Sequence, residues 1–246
     1  MADKFSKTMW RSVAHLAIAV ENERWVLPHS LQQRIDRYWN ELLAKETGFF
    51  RGPVLHVKRV HSHAQSVRID TVRTDYAHHL YGRSLSEDSP YRVRVLFAAA
   101  CLVTADQFLI AGVMNSNTSR PGWIQSIGGS PTDEDIHSGY FNPIVSACRE
   151  AQEEVAIGLR PSDCRVGGFT QDEMNRIAVV VYMPLKHRAE DIIPQIKAYL
   201  KNQQNPELED VLGLPLGPVG LKMLNSQTRP HVRYLETIVQ GLYAGG

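Results

Sequence analysis

Cysteine is scarce in this 246-residue chain. Cys101, Cys148 and Cys164 are the full set, and no CxxC or zinc-ligand spacing occurs. An odd number of thiols outside any motif argues against a disulfide framework and implies reduced thiols in a cytoplasmic-type compartment. An excess of charge of either sign is also lacking: Lys+Arg is 27 against 26 for Asp+Glu, a net +1. Composition therefore gives no ground for expecting a nucleic-acid or anionic-membrane partner. Long apolar runs are missing too. VAHLAIAV (13–20) is cut short by Glu21, Glu23 and Arg24, far below a bilayer span, and no small-residue cleavage site follows. Internal repeats, low-complexity tracts and HExxH are absent. The glycine-rich GLPLGPVG (213–220) lacks the Lys-Ser/Thr that would make it a phosphate loop.

What is there alternates strands with single helices. SLQQRIDRYWNELLAKE (30–46) has helical spacing, with Ser30 as the expected N-cap and Gly48 and Gly52-Pro53 as stops. VLHVKRV (54–60) and SVRIDTVRT (66–74) alternate apolar and polar residues, as strands of a hairpin joined by HSHAQ. YAHHLYGR (76–83) suits a short helix. SEDSP (86–90) reads as a boundary, dividing an N-terminal α+β extension (1–90) from a main domain (91–246). VRVLFAAACLVT (93–104) is nearly unbroken and apolar, as a strand buried on both faces requires, and FLIAGVM (108–114) returns beside it. Residues 124–141 read as a glycine-rich loop. Asn142-Pro143 then opens a helix expected to reach about Ile157, with Gly158 ending it. CRVGGFTQ (164–171), RIAVVVYMPL (176–185) and ELEDVLGL (207–214) read as strands, with helices over AEDIIPQIKAYLKNQ, Pro218–Leu224 and Pro230–Leu242. The fold class is α/β, a sandwich around a mixed sheet.

CREAQEEVAIGL (148–159) raises the chemical question. On a helix, Ile144, Ala147, Cys148, Ala151 and Val155 form an apolar face, where Cys148 is expected as a buried, inert thiol. Glu150, Glu153 and Glu154 share another side. Like charges at this spacing destabilise a helix by roughly 0.2–0.5 kcal/mol a pair, and the C-terminal dipole adds to the cost. A divalent cation would reverse the sign of both effects, and hard carboxylate oxygens suit Mg²⁺ or Mn²⁺. A solvated helix face is the plain alternative.

The run R-E-A-Q-E-E-V-A-I resembles the second half of the Nudix box, through Arg149, Glu150, Ala151, Glu153, Glu154 and Ile157. Ala156 stands where that family usually has glycine. GWIQSIGG (122–129) resembles the family's Gly-x-Trp-x-x-Pro-Gly-Gly approach, with Ile127 in place of Pro. Gly129 and Arg149 lie 20 positions apart, six more than the family's box allows. The box's early glutamate, counted forward from Gly129, falls on Asp135 beside Glu134; counted back from Arg149 it falls on Phe141. The resemblance covers roughly 91–246, and the layout is most similar to the UDP-sugar (UDP-glucose) diphosphatase branch.

The resemblance implies a Nudix α/β/α sandwich that hydrolyses a nucleoside diphosphate linked to a sugar, using Mg²⁺ or Mn²⁺. It implies Glu150, Glu153, Glu154 and Gly129 as the metal site, and Arg149 as the residue that orients a glutamate. The general base is open among Glu153, Glu154 and the loop residues Asp172 and Glu173. Arg92, Arg94 and Arg120 are candidates for substrate phosphates and Trp123 for stacking on a nucleobase, although each also suits an ordinary surface or core role. ADP-ribose, a dinucleotide or a coenzyme A ester remain alternative substrates, and a non-catalytic ligand sensor is the alternative class. The N-terminal segment could cover the sheet, complete the pocket or form a homodimer interface. His61, His63, His78 and His79 read as surface histidines.

Overall fold

A computed structural model describes residues 8–45, 49–174 and 176–244. In chain order the strands are β1 (Met9–Arg11), β2 (His15–Arg24), β3 (Pro53–His63), β4 (Ser66–Asp75), β5 (Val95–Val103), β6 (Phe108–Met114), β7 (Ile124–Ser126), β8 (Ile136–His137), β9 (Tyr140–Phe141), β10 (Arg165–Gln171), β11 (Ile177–Pro184) and β12 (Leu208–Pro215). The helices are α1 (His29–Leu43), α2 (Tyr76–Gly82), α3 (Pro143–Val155), α4 (Ala189–Asn202), α5 (Pro218–Asn225) and α6 (Arg233–Ala244).

β5 organises the molecule. Its unbroken apolar sequence is needed because both of its faces are covered. Leu96, Ala98, Ala100 and Leu102 share one core cluster with Ala147, Ala151 and Val155 of α3 and Ile192, Ile196 and Leu200 of α4. The alternate residues Ala99, Cys101 and Val103 share a second cluster with Leu235, Ile238, Val239 and Leu242 of α6. Side chains one residue apart on a strand point to opposite faces, so one strand seeds both layers. The architecture is therefore mixed α/β, with helices on both faces of a large sheet. β11 runs parallel to β5, and β3 and β6 pair antiparallel with it.

The sheet crosses the expected 90/91 boundary three times, where β1 pairs with β10, β2 with β9 and β3 with β5. The β3–β4 hairpin forms as expected, but its turn is only Ala64-Gln65, and His61 and His63 lie within β3. VAHLAIAV supplies much of β2, with Leu16, Ile18 and Val20 on the core side at period two. α1 starts at His29 after Pro28, so Ser30 is inside the helix and does not cap it. The expected end of this helix at Glu46 and the stop at Gly48 lie outside the described residues. Residues 124–141 are less loop-like than their composition suggests, since they hold β7 and the β8–β9 hairpin.

Two of the histidines expected at the surface are not there. His78 is 1% exposed. One of its ring nitrogens contacts the Thr74 hydroxyl at 2.7 Å and the other the Tyr91 carbonyl at 2.8 Å. His79 is half-buried. His56 is buried as well, under the Trp25 ring, and its Nδ1 accepts the backbone N–H of Arg94 at 3.0 Å. That bond joins the N-terminal hairpin to β5 and requires an unprotonated Nδ1. Burial, helped by the charges of Arg94, His78 and Lys58, lowers the His56 pKa to about 3. The unfolded chain binds this proton more tightly than the fold does. The contribution to stability is therefore complete above the unfolded value near 6.5 and is lost as pH falls from there toward 3. Between pH 7.5 and 4.5 urea unfolding should show a loss of about 2–3 kcal/mol from this group. The loss should shrink in His56→Gln; an identical acid slope in that variant would remove His56 from the explanation.

α3 opens as its sequence implies. Asn142 caps it by accepting the backbone N–H groups of Ile144 and Val145, and Pro143 takes the first turn. It ends earlier than expected, at Val155, because Ala156 adopts the left-handed conformation with φ of 58°. A side chain in that conformation costs roughly 1–2 kcal/mol, partly offset by its effect on the unfolded chain. Ala156→Gly should raise unfolding free energy by about 0.5–1 kcal/mol in urea melts. A loss of stability would mean that the left-handed cap is not strained.

Candidate metal centre

The two buried glutamates of α3 face the glycine pair that follows β7. Glu150 is 7% and Glu154 9% exposed. The Gly128 N–H donates to Glu154 Oε1 at 3.3 Å. A Cβ on Gly128 would fall 2.2 Å from the Ala98 carbonyl oxygen, which only glycine avoids, and one on Gly129 would fall 2.5 Å from Glu150 Oε1 and displace that carboxylate. The backbone of 128–129 is thus pressed between β5 and the carboxylates of α3.

Arg149 holds the outer side of the group. Its Nη2 donates to Asp135 Oδ2 at 2.9 Å and to the Ser130 carbonyl at 3.3 Å, and lies 2.9 Å from Glu150 Oε1. Its Nη1 donates to Glu153 Oε2 at 3.0 Å. Burial opposes the guanidinium charge, but the hydrogen bond to Asp135 and the fields of Glu150, Asp135 and Glu153 prevail and raise its pKa. Asp135 is fully buried, and its Oδ2 also accepts the Thr132 N–H at 2.9 Å. The extra residues between Gly129 and Arg149 are taken up mostly by the β8–β9 hairpin. Asp135, where the forward count from Gly129 falls, lies just before that hairpin and reaches back to Arg149.

Electrostatically the centre is overloaded with negative charge. Burial, with Glu153 and Glu207 adding to it against Arg149, pushes the Glu150 carboxyl up to about 7. Burial and then Glu150 and Glu207 raise Glu154 well above the usual carboxylate range. Glu207, whose carbonyl accepts the Asn115 N–H at 2.8 Å just before β12, reaches solvent from a recess. Crowding and then Glu153 raise its pKa also. Among the described residues no cationic side chain pairs with Glu154. Glu153 is 57% exposed at its side chain and turned to Arg149. Accordingly, no three His, Cys, Asp or Glu side chains among the described residues stand in a ready-made cation-binding set.

The other expected site residues are dispersed. Arg120 lies over the Trp123 ring, 5.2 Å from its centroid, and Trp123 packs against both core clusters. Arg94 belongs to the β3–β5 seam beside His56. Arg92 Nη1 donates to the Leu85 carbonyl at 2.7 Å. Glu173 is exposed in the β10–β11 turn. Asp172 is buried and occupied, accepting the N–H groups of Met174 and Arg176 and pairing with the Arg176 guanidinium. Cys148 and Cys164 lie with sulfurs 3.9 Å apart, and burial raises both thiols. Glu207 is the functional candidate that sequence reasoning missed. Its only signal is its place just before a strand, and the β12–β6 pairing that brings it to the centre is not visible in spacing.

No protein-family model matches the chain, and no curated protein is significantly similar to it. No helix among the described residues is long and apolar enough to cross a membrane.

A cation that binds only the folded state raises its stability by mass action. Saturating Mg²⁺ or Mn²⁺, at about a hundredfold over Kd, should raise the melting temperature by roughly 5–10 °C. The shift should vanish in Glu154→Gln and in Gly129→Ala. Equal shifts in all three proteins would place the cation elsewhere.

Proposed function

We propose that the chain is a Nudix-type hydrolase, dependent on Mg²⁺ or Mn²⁺, that cleaves the diphosphate of a nucleoside diphosphate linked to a sugar. The UDP-glucose-like substrate would give a nucleoside monophosphate and a sugar phosphate. The observation that carries this reading is the pair of buried carboxylates, Glu150 and Glu154, pressed on a glycine backbone without a cationic partner for Glu154. The donors fit the group: hard oxygens, carboxylates held close against the Gly129 backbone, and a negative charge that burial alone disfavours.

Glu150 and Glu154 would hold the cation, with Glu207 supplying a further oxygen at the rim. Bound there, Mg²⁺ or Mn²⁺ supplies a Lewis acid that polarises phosphoryl oxygens and activates water. Arg149 keeps Glu150 and Glu153 in place, and Asp135 fixes Arg149 in turn. Glu153 has one oxygen committed to Arg149 and reaches solvent, which leaves its second oxygen to take the proton of attacking water. Glu173, exposed in the β10–β11 turn with no link to this group, is the weaker choice of base. The Glu153–Arg149 pairing is also what a ligand-binding sensor of the same fold would retain, since it leaves the carboxylates short of a complete cation set.

Release of phosphate-containing products should be followed over NDP-sugars, ADP-ribose and dinucleotides, with Mg²⁺, Mn²⁺ or chelator. Turnover of an NDP-sugar that falls about 10²-fold in Glu154→Gln supports the hydrolase. Binding of these ligands without turnover in either metal would assign the sensor class.

A further inference from the structure

A second charged constellation lies beyond the carboxylate centre, where α2, the β6–β7 loop and the β10–β11 loop converge. Arg83 follows the last turn of α2 as its C-cap. Its Nη2 donates to His79 Nε2 at 3.4 Å and to Ser119 Oγ at 3.4 Å. The next residue of that loop is Arg120, over Trp123. Arg120 and Arg176 both act on Arg83 and on His79 through their charge. Arg176 is engaged by Asp172. Among the described residues no carboxylate pairs with Arg83 or Arg120. Guanidinium groups gathered without counter-charge repel one another; desolvation by the surrounding side chains, and then the charge of Arg120, lowers the Arg83 pKa. Arg83 is nonetheless exposed, so a solute can reach it.

His79 supplies the second observation. Because its Nε2 accepts from Arg83, its ring proton resides on Nδ1. That nitrogen is buried and has no hydrogen-bond partner. Burial and then Arg83, Arg120 and Arg176 keep the ring neutral, with a pKa of about 3, so Nε2 stays an acceptor for Arg83 and the ring adds no positive charge.

We propose that Arg83, Ser119 and Arg120 form an anion site that takes a phosphoryl group, with His79 positioning Arg83. Guanidinium forks match phosphate oxygens in geometry and charge, and the Ser119 hydroxyl, which accepts from Arg83, has its own O–H to donate. The β6–β7 loop links this site to the carboxylate centre, because it carries Arg120 and also Asn115, which holds the Glu207 carbonyl. Two sources offer this chemistry: a phosphoryl group of the substrate that reaches across the loop, or free phosphate. The site itself does not require the proposed hydrolysis.

The test is titration of the full chain with inorganic phosphate in chelator, by calorimetry or ³¹P NMR. Wild type and Glu154→Gln should bind alike, while Arg83→Ala and Arg120→Ala should lose affinity by about tenfold or more. In phosphate-free buffer Arg83→Ala should melt no lower than wild type, because it removes a like charge from an exposed position. Competition between phosphate and an NDP-sugar assigns the site to the substrate's phosphoryl group, and simultaneous binding assigns it to free phosphate; both uphold the site. Absence of phosphate binding in wild type, or unchanged affinity in both arginine variants, overturns it.

Discussion

Two carboxylates, Glu150 and Glu154, are buried side by side on one helix against the backbone of Gly128 and Gly129. Buried like charges are costly, and no cationic side chain among the described residues meets Glu154. Around this cost the neighbouring structure is arranged. β5 supports the glycine pair from beneath through Ala98. Asp135 and Arg149 brace the outer side. β12 delivers Glu207 to the rim. Burial raises both carboxyls, so proton uptake is one relief of the repulsion; a divalent cation is another, and it gives the burial a use.

The rest of the fold serves to hold α3 on the sheet. Ala147, Ala151 and Val155 are small or compact and lie in one cluster with Ala98 and Ala100, which lets the helix sit close to β5. The N-terminal hairpin is stitched to the same strand, and the His56 bond to Arg94 is one of its fastenings. α2 follows directly from that hairpin and brings His79 and Arg83 toward the β6–β7 loop. The first ninety residues thus supply part of the charged surroundings as well as additional sheet.

Much of this was legible in local sequence. The Asn142-Pro143 start of α3, the shared side of Glu150 and Glu154 and the two-faced apolar run of β5 all depend on neighbours a few residues away, whereas Glu153, expected on that same side, is exposed and turned to Arg149. What was not legible depends on distant pairing. Asp135 meets Arg149 only because an intervening hairpin folds back, and Glu207 arrives only through the register of β12 on β6. His78 and His79 looked like surface residues because α2 is too short to show a face; burial comes from Thr74, Tyr91 and Arg83 around them. Ala156 falls inside the helix expected to reach about Ile157, while its left-handed conformation makes it the terminus.

The central claim is that the buried Glu150–Glu154 pair is a divalent-cation site. An anomalous-scattering map from crystals soaked in Mn²⁺ tests it most directly. The account predicts a peak between the Glu150 and Glu154 carboxylates and the Gly129 backbone, lost in Glu154→Gln. Mn²⁺ found only at other carboxylates, or no peak at a concentration that stabilises the protein in solution, would contradict it.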